Sequence, residues 1–233
     1  MAIFVPGGVA AGGYVSGKVG GNVFSRNRFG AYIRARVVPV NPNTVFQQDV
    51  RGRFGTLTNR WNNVLTAAQR TAWTVYAQNV PVTNRLGLGI NLTGLNWYLA
   101  SNALRSQAGF IFIDTAPTVF TLGTYTVPVL TATAAGGFSI AFTNTDAWAN
   151  EIGGAMCFFQ GQPVSSTINF FKGPFRFLGT VNGAVVPPAS PVVFLPAALR
   201  FPIALGQNAY LRINIVRADA RIGSTAVFSD IVG

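Results

Sequence analysis

Histidine is absent from all 233 residues. The commonest general base is therefore missing, and with it the Ser-His-Asp arrangement and most zinc sites. Six acids remain: Asp49, Asp114, Asp146, Glu151, Asp219 and Asp230. Asp146 and Glu151 share one short stretch, Asp146-Ala147-Trp148-Ala149-Asn150-Glu151, and paired carboxylates can hydrolyse glycosides. So small a set gives no pattern that favours such chemistry. Surface acids ordinarily sit in solvated turns, and the stretch offers too few oxygen ligands for calcium. Gly12-Gly13-Tyr14-Val15-Ser16-Gly17-Lys18 matches most of a phosphate-binding loop, but Val19 stands where Ser or Thr belongs and glycines follow where a helix should start. A flexible arm is the better reading. Cys157 is the one cysteine and allows no internal disulfide; in Ala155-Met156-Cys157-Phe158-Phe159 it reads as a buried thiol. Asn91-Leu92-Thr93 spells a glycosylation sequon, read here as a helix cap. The expectation is a chain that is not an enzyme, with no catalytic residue, cofactor or metal.

The constellation that carries most information is basic and aromatic. Phe24, Arg26, Arg28, Phe29, Tyr32, Arg34 and Arg36 crowd into one short segment. It reads as a β-hairpin: a strand at 22–26, a turn at 27–30 and a second strand at 31–40. In the second strand Ile33, Ala35 and Val37 alternate with Tyr32, Arg34 and Arg36. The apolar set is expected to anchor the ribbon on its own protein and the other set to project outward. Phe24, Arg26, Arg28, Tyr32, Arg34 and Arg36 are the candidate interface. Arginines could hold phosphates while aromatics stack on bases, or the ribbon could extend a neighbour's sheet with Arg meeting acids across the interface. The second reading is preferred, because one ribbon is a modest basic footprint.

These residues need elements to position them. A Gly-rich arm is expected at 6–21, since glycine loses much freedom on ordering. After the hairpin, Phe46, Val50, Phe54, Leu57, Trp61 and Val64 recur at helical spacing, predicting an amphipathic helix. Thr66-Ala67-Ala68-Gln69 matches a capping box and opens a second helix that carries Ala72, Trp73, Tyr76 and Val80 inward. Thr93 caps a third, over about 94–107. Beyond 114 the pattern turns to period two, as in Phe138, Ile140, Phe142 and in Leu211, Ile213, Ile215, with Gly, Asn and Pro punctuating it. The predicted fold class is α+β. Residues 1–114 form the arm, hairpin and about three helices, and residues 115–233 a β-sandwich of immunoglobulin or fibronectin type III character.

Composition narrows the function. Charged residues are 10% of the chain and apolar ones 49%, whereas soluble domains carry about 25% charged residues. A surface so poor in charge is expected to be covered by partners. Residues 1–113 hold eleven Lys and Arg against one acid, Asp49, while 114–233 hold six against five. That asymmetry points to an anionic partner: nucleic acid, or an acidic protein face. The residues from Met1 lack the pattern of a signal peptide, which predicts cytoplasmic synthesis. The uncharged stretches 115–145 and 177–199 are broken by Pro, Gly and Thr, so no membrane span is expected.

The run Gly20-Gly21-Asn22-Val23-Phe24-Ser25-Arg26-Asn27-Arg28-Phe29-Gly30, then Tyr32-Ile33-Arg34-Ala35-Arg36, Pro42-Asn43-Thr44, Gln47-Gln48 and Leu65-Thr66-Ala67-Ala68-Gln69-Arg70-Thr71-Ala72-Trp73 resembles a group of bacteriophage and prophage proteins found among virion structural genes. The resemblance covers mainly 13–105 and carries no functional residues with it. It implies a structural virion component: capsid shell, decoration or cement protein, or neck or tail protein. Such a chain would be assembled in the host cytoplasm, located in the virion, and partnered by its own copies and other virion proteins. The alternatives are a nucleic-acid-binding packaging protein using the basic half, and a fibre or adhesin module binding host glycans.

Overall fold

Threonine side chains cap the starts of the three described helices, α1 (Val45–Asn63), α2 (Ala67–Asn79) and α3 (Gly94–Gln107); at α1, Thr44 Oγ1 accepts from Gln47 N and the Gln47 side chain accepts from Thr44 N. Thr66 Oγ1 accepts from Gln69 N and the Gln69 side chain accepts from Thr66 N, closing the capping box of α2. Thr93 Oγ1 accepts from Asn96 N at the start of α3. The computed structural model describes residues 2–4, 15–27, 30–83 and 87–233. The fold is mixed α+β, with these helices and several antiparallel sheets. Two compact units divide it: Met1–Gly52 with Pro81–Leu92, and Arg53–Val80 with Thr93–Gly233.

In the larger unit α2 and α3 lock together through aromatic rings. Trp73 and Tyr76 of α2, and Trp97 and Tyr98 of α3, are buried. They meet edge to face, Trp73 on Tyr98 at 5.6 Å and Tyr76 on Trp97 at 5.4 Å between centroids. A Cβ on Gly94 would stand 2.7 Å from Thr74 N, so glycine is what lets the start of α3 approach α2.

Two antiparallel sheets follow. The first joins β7 (Val129–Thr133), β8 (Gly137–Ala141) and β12 (Val192–Phe194), with β8 central. In the second, β13 (Gln207–Val216) pairs with β9 (Ala155–Gly161) on one side and β14 (Ala226–Ile231) on the other. β11 (Phe175–Asn182) flanks β9, and the two-residue β10 (Val164–Ser165) pairs with the start of β13. The period-two residues do as expected: Phe138, Ile140 and Phe142 share one core with Leu211, Ile213 and Ile215. β9 is buried on both faces, which explains its unbroken apolar run. Met156 and Phe158 face that core, while Ala155, Cys157 and Phe159 face a second cluster with Leu104 and Ala108 of α3's C-terminal end.

The smaller unit is a four-stranded meander of β1 (Ala2–Phe4), β2 (Val15–Val19), β3 (Asn22–Asn27) and β4 (Gly30–Ala35). A pair of two-residue strands, β5 (Val82–Thr83) and β6 (Gly89–Ile90), also belongs to it. Three expectations change here. The Gly-rich arm does not extend to 21: residues 15–19 form β2, paired on both sides, and Gly20 at φ +53° turns the chain into β3. The rest of that arm, 6–14, lies outside the described residues, as do Arg28 and Phe29, expected in the hairpin turn. The second hairpin strand ends at Ala35 rather than Val40, because after the Arg36 N–H bond to Gly21 O none of the described residues pairs with it. The apolar side expected to anchor the ribbon is largely open among the described residues: Ile33 is 64% and Val37 66% exposed.

Candidate functional site

Strand register, more than sequence proximity, decides which side chains act together. Lys18 of β2, Val23 of β3 and Arg34 of β4 are directly opposite one another. Cross-strand partners share a face, so Lys18 and Arg34 stand in one row. Tyr32, opposite Ser25, lies one repeat before Arg34 on the same face. Arg36 lies one repeat after, held in register by its N–H bond to Gly21 O at 2.7 Å. This face thus gathers Lys18, Tyr32, Arg34 and Arg36, all exposed. The other face carries Gly17, Phe24 and Ile33 in one row and Val19, Asn22 and Ala35 in the next. Arg26, opposite Ala31, belongs to this second face.

The candidate interface is therefore split. Tyr32, Arg34 and Arg36 come together; Phe24 and Arg26 fall on the opposite, mainly apolar side; Arg28 lies outside the described residues. Lys18 joins the basic face, and sequence reading missed it because it had been assigned to the arm. Its parity with Arg34 becomes readable only once Gly20-Gly21 is recognised as a tight turn.

Apolar exposure continues along the chain. Val38, Val40 and Val45 follow the ribbon, Val40 being 88% exposed, and the first half of α1 shows Phe46, Val50 and Phe54 to solvent. Among the described residues none from 16 to 56 is buried; Leu57 is the first. The helical spacing of 46, 50, 54, 57, 61 and 64 is real, but among the described residues only Leu57 and Trp61 of that stripe are covered, and Val64 is exposed. Leu57 is buried and Trp61 is half-buried against Tyr98 at 5.5 Å.

The acids are engaged elsewhere. Asp114 receives Arg60 through Nε and Nη2, both at 2.7 Å, together with Tyr98 Oη at 3.1 Å, and its carbonyl accepts from Trp73 Nε1. The bidentate bond from Arg60 holds the Asp114 carboxyl below the ordinary value of 3.8. Glu151 accepts from Arg217 and from Ala218 N, and Asp219 pairs with Arg221. Asp146 accepts from Thr126 N and Oγ1, and Asp230 from Ala132 N. None of these five is an exposed residue. Asp146 and Glu151, the one pair considered for catalysis, thus serve different structural partners. Arg105 is buried without an ion pair among the described residues; it donates to the carbonyls of Ile111, Gly153, Arg217 and Ala218 and stacks on Phe110. Among the described residues no three His, Cys, Asp or Glu side chains gather as metal ligands. Among the described residues no helix is long and apolar enough to cross a membrane.

No family model matches the chain, and no match is found among curated proteins or among solved structures.

Proposed function

We propose that this chain is a structural subunit of a bacteriophage virion, a shell, decoration, cement, neck or tail protein that works by assembly and not by catalysis. The observation that carries the reading is the run from 16 to 56 in which no described residue is buried although Val19, Ile33, Val37, Val40, Phe46, Val50 and Phe54 are all exposed. Exposed apolar side chains in such number mark a protein contact. Helix α1 supports the same reading, since its apolar stripe runs beyond the core that its own chain supplies. The resemblance of residues 13–105 to virion proteins agrees with it. The two sheets that share the core of 129–232 are read as a sandwich of immunoglobulin or fibronectin type III character, a module presented by the assembling segment.

Two measurements test this. Sedimentation of the full chain should show oligomers that grow with concentration. Phe46→Ser with Val50→Ser and Phe54→Ser should return them to monomer without changing the melting of the sheet core. Quantitative mass spectrometry of purified particles should find the chain present. Copies in the hundreds mean shell or decoration, and about six or twelve mean neck or tail. A chain that stays monomeric and is absent from particles overturns the proposal.

A further inference from the structure

We infer that the Lys18–Arg34–Arg36 face of the N-terminal sheet binds the phosphate backbone of duplex DNA. The inference deepens the assembly reading, and rests on it for the use of the opposite, apolar face; it names what the remaining face meets.

The argument is one of charge complementarity. A second copy of this chain has almost nothing to offer a cationic face. Of its six acids, Asp114, Glu151 and Asp219 are paired with Arg60, Arg217 and Arg221. Asp146 and Asp230 accept hydrogen bonds from their own chain, and none of these five is exposed. Asp49 is the one exposed acid among the described residues, and it is not without a partner in its own chain. Self-assembly through the opposite face would therefore gather many cationic faces with few carboxylates to neutralise them, at a net +11 per copy. Like charges so arranged repel. An assembled state needs an external polyanion against this side.

The composition of the face narrows the polyanion. Single-stranded binders use several aromatic platforms for bases. Here register sends Phe24 to the other side and, among the described residues, leaves one ring, Tyr32, beside the cations. A sheet face with cations on two strands and little to stack on fits a regular backbone read without sequence. Counterion release per contact is also larger from duplex DNA than from a single strand. Lys18, Arg34 and Arg36 would each neutralise one phosphate, with the Tyr32 hydroxyl free to donate to a fourth.

The test uses the full chain and a short DNA duplex of random sequence, with binding followed by fluorescence anisotropy at several salt concentrations. Lys18→Gln with Arg34→Gln and Arg36→Gln should make the salt slope shallower by about 2.7, near 0.9 per lost phosphate contact. At about 0.1 M salt it should weaken binding by on the order of a hundredfold. Lys172→Gln with Arg176→Gln and Arg200→Gln removes the same charge from the other unit and should change the slope by less than one. Equal effects of the two variants would reduce the binding to net charge and overturn the inference. Tighter binding of a single strand, or displacement of the duplex by polyglutamate at matched charge, would overturn it as well. Ile33→Ser with Val19→Ser, on the apolar face, keeps the two readings apart. It should disrupt oligomers in sedimentation while leaving the salt slope of the parent. If the parent never oligomerises yet the basic-face variant still loses its slope, the assembly reading fails and the DNA contact stands. If oligomers form and no face-specific slope exists, the DNA contact alone fails.

Discussion

Asp114 ties three helices to one residue: Arg60 of α1 and Tyr98 of α3 donate to its carboxylate, and Trp73 of α2 donates to its backbone carbonyl. Its folded pKa lies below the ordinary value. The ionised form therefore stabilises the fold at any pH above that value, and the contribution is lost as pH falls through the depressed one. Asp114→Asn should lower stability at pH 7 by about 2 kcal/mol, in the range of hydrogen bonds to charged groups. It should also flatten the acid limb of the stability curve below about pH 4. Urea unfolding across pH 2–7 reads both effects. The two tryptophans nearby should differ. Trp73 is fully buried, so Trp73→Ala should cost about 3–5 kcal/mol. Trp61 keeps part of its ring in water, and its truncation should cost distinctly less in the same urea titration. The helical spacing put both on one footing, because periodicity shows that a stripe exists and not how far along it the chain supplies a core.

At the scale of elements, legibility followed the kind of signal. α2 and α3 were readable from their Thr caps and buried aromatics, which are local. The strands at 138–142 and 211–215 were readable from strict alternation. β9 was not readable as a strand: a strand covered on both faces loses its alternation, and Ala155-Met156-Cys157-Phe158-Phe159 says only that it is buried. The basic face was half readable. Tyr32, Arg34 and Arg36 share parity along one stretch, but placing Lys18 beside them and Phe24 opposite requires the register across β2, β3 and β4. The join of α3 to the sheet is a further element-level feature that no pattern announced. Arg105 is buried and satisfies four carbonyls from the α3 exit and two sheet loops. Arg105→Leu keeps the apolar stem and strands those carbonyls, so it should destabilise by about 3–5 kcal/mol. Arg105→Lys should recover only part of this, because one ammonium cannot reproduce the planar fork. Chemical denaturation of the two variants side by side measures the difference.

At the scale of the whole molecule, burial is distributed very unevenly. The sheets of the larger unit have two buried clusters, whereas the described residues 16–56 have no buried member. Local stability tracks buried apolar contact. Backbone amides of β9 and β13 should therefore exchange with solvent only on global unfolding, whereas those of β3, β4 and the first turns of α1 should exchange orders of magnitude faster in the free chain. In an assembled particle the second group should become protected and the first should not change. Hydrogen exchange with mass spectrometric readout follows both in one experiment. Unchanged fast exchange of 30–52 in particles would show that this segment is not what assembly covers.

Cys157 sits in β9 within the cluster that includes Leu104 and Ala108, and burial pushes its thiol up to about 12. A neutral, enclosed sulfur does not react with disulfide reagents or alkylators. Because it is the one cysteine in the chain, any labelling reports a single event, the lifting of α3 from the sheet. The thiol is thus a built-in clock for that opening. Its modification rate in the native chain should level off at high reagent concentration, where the opening itself becomes limiting. Arg105→Leu, which loosens the same joint, should make the clock run faster.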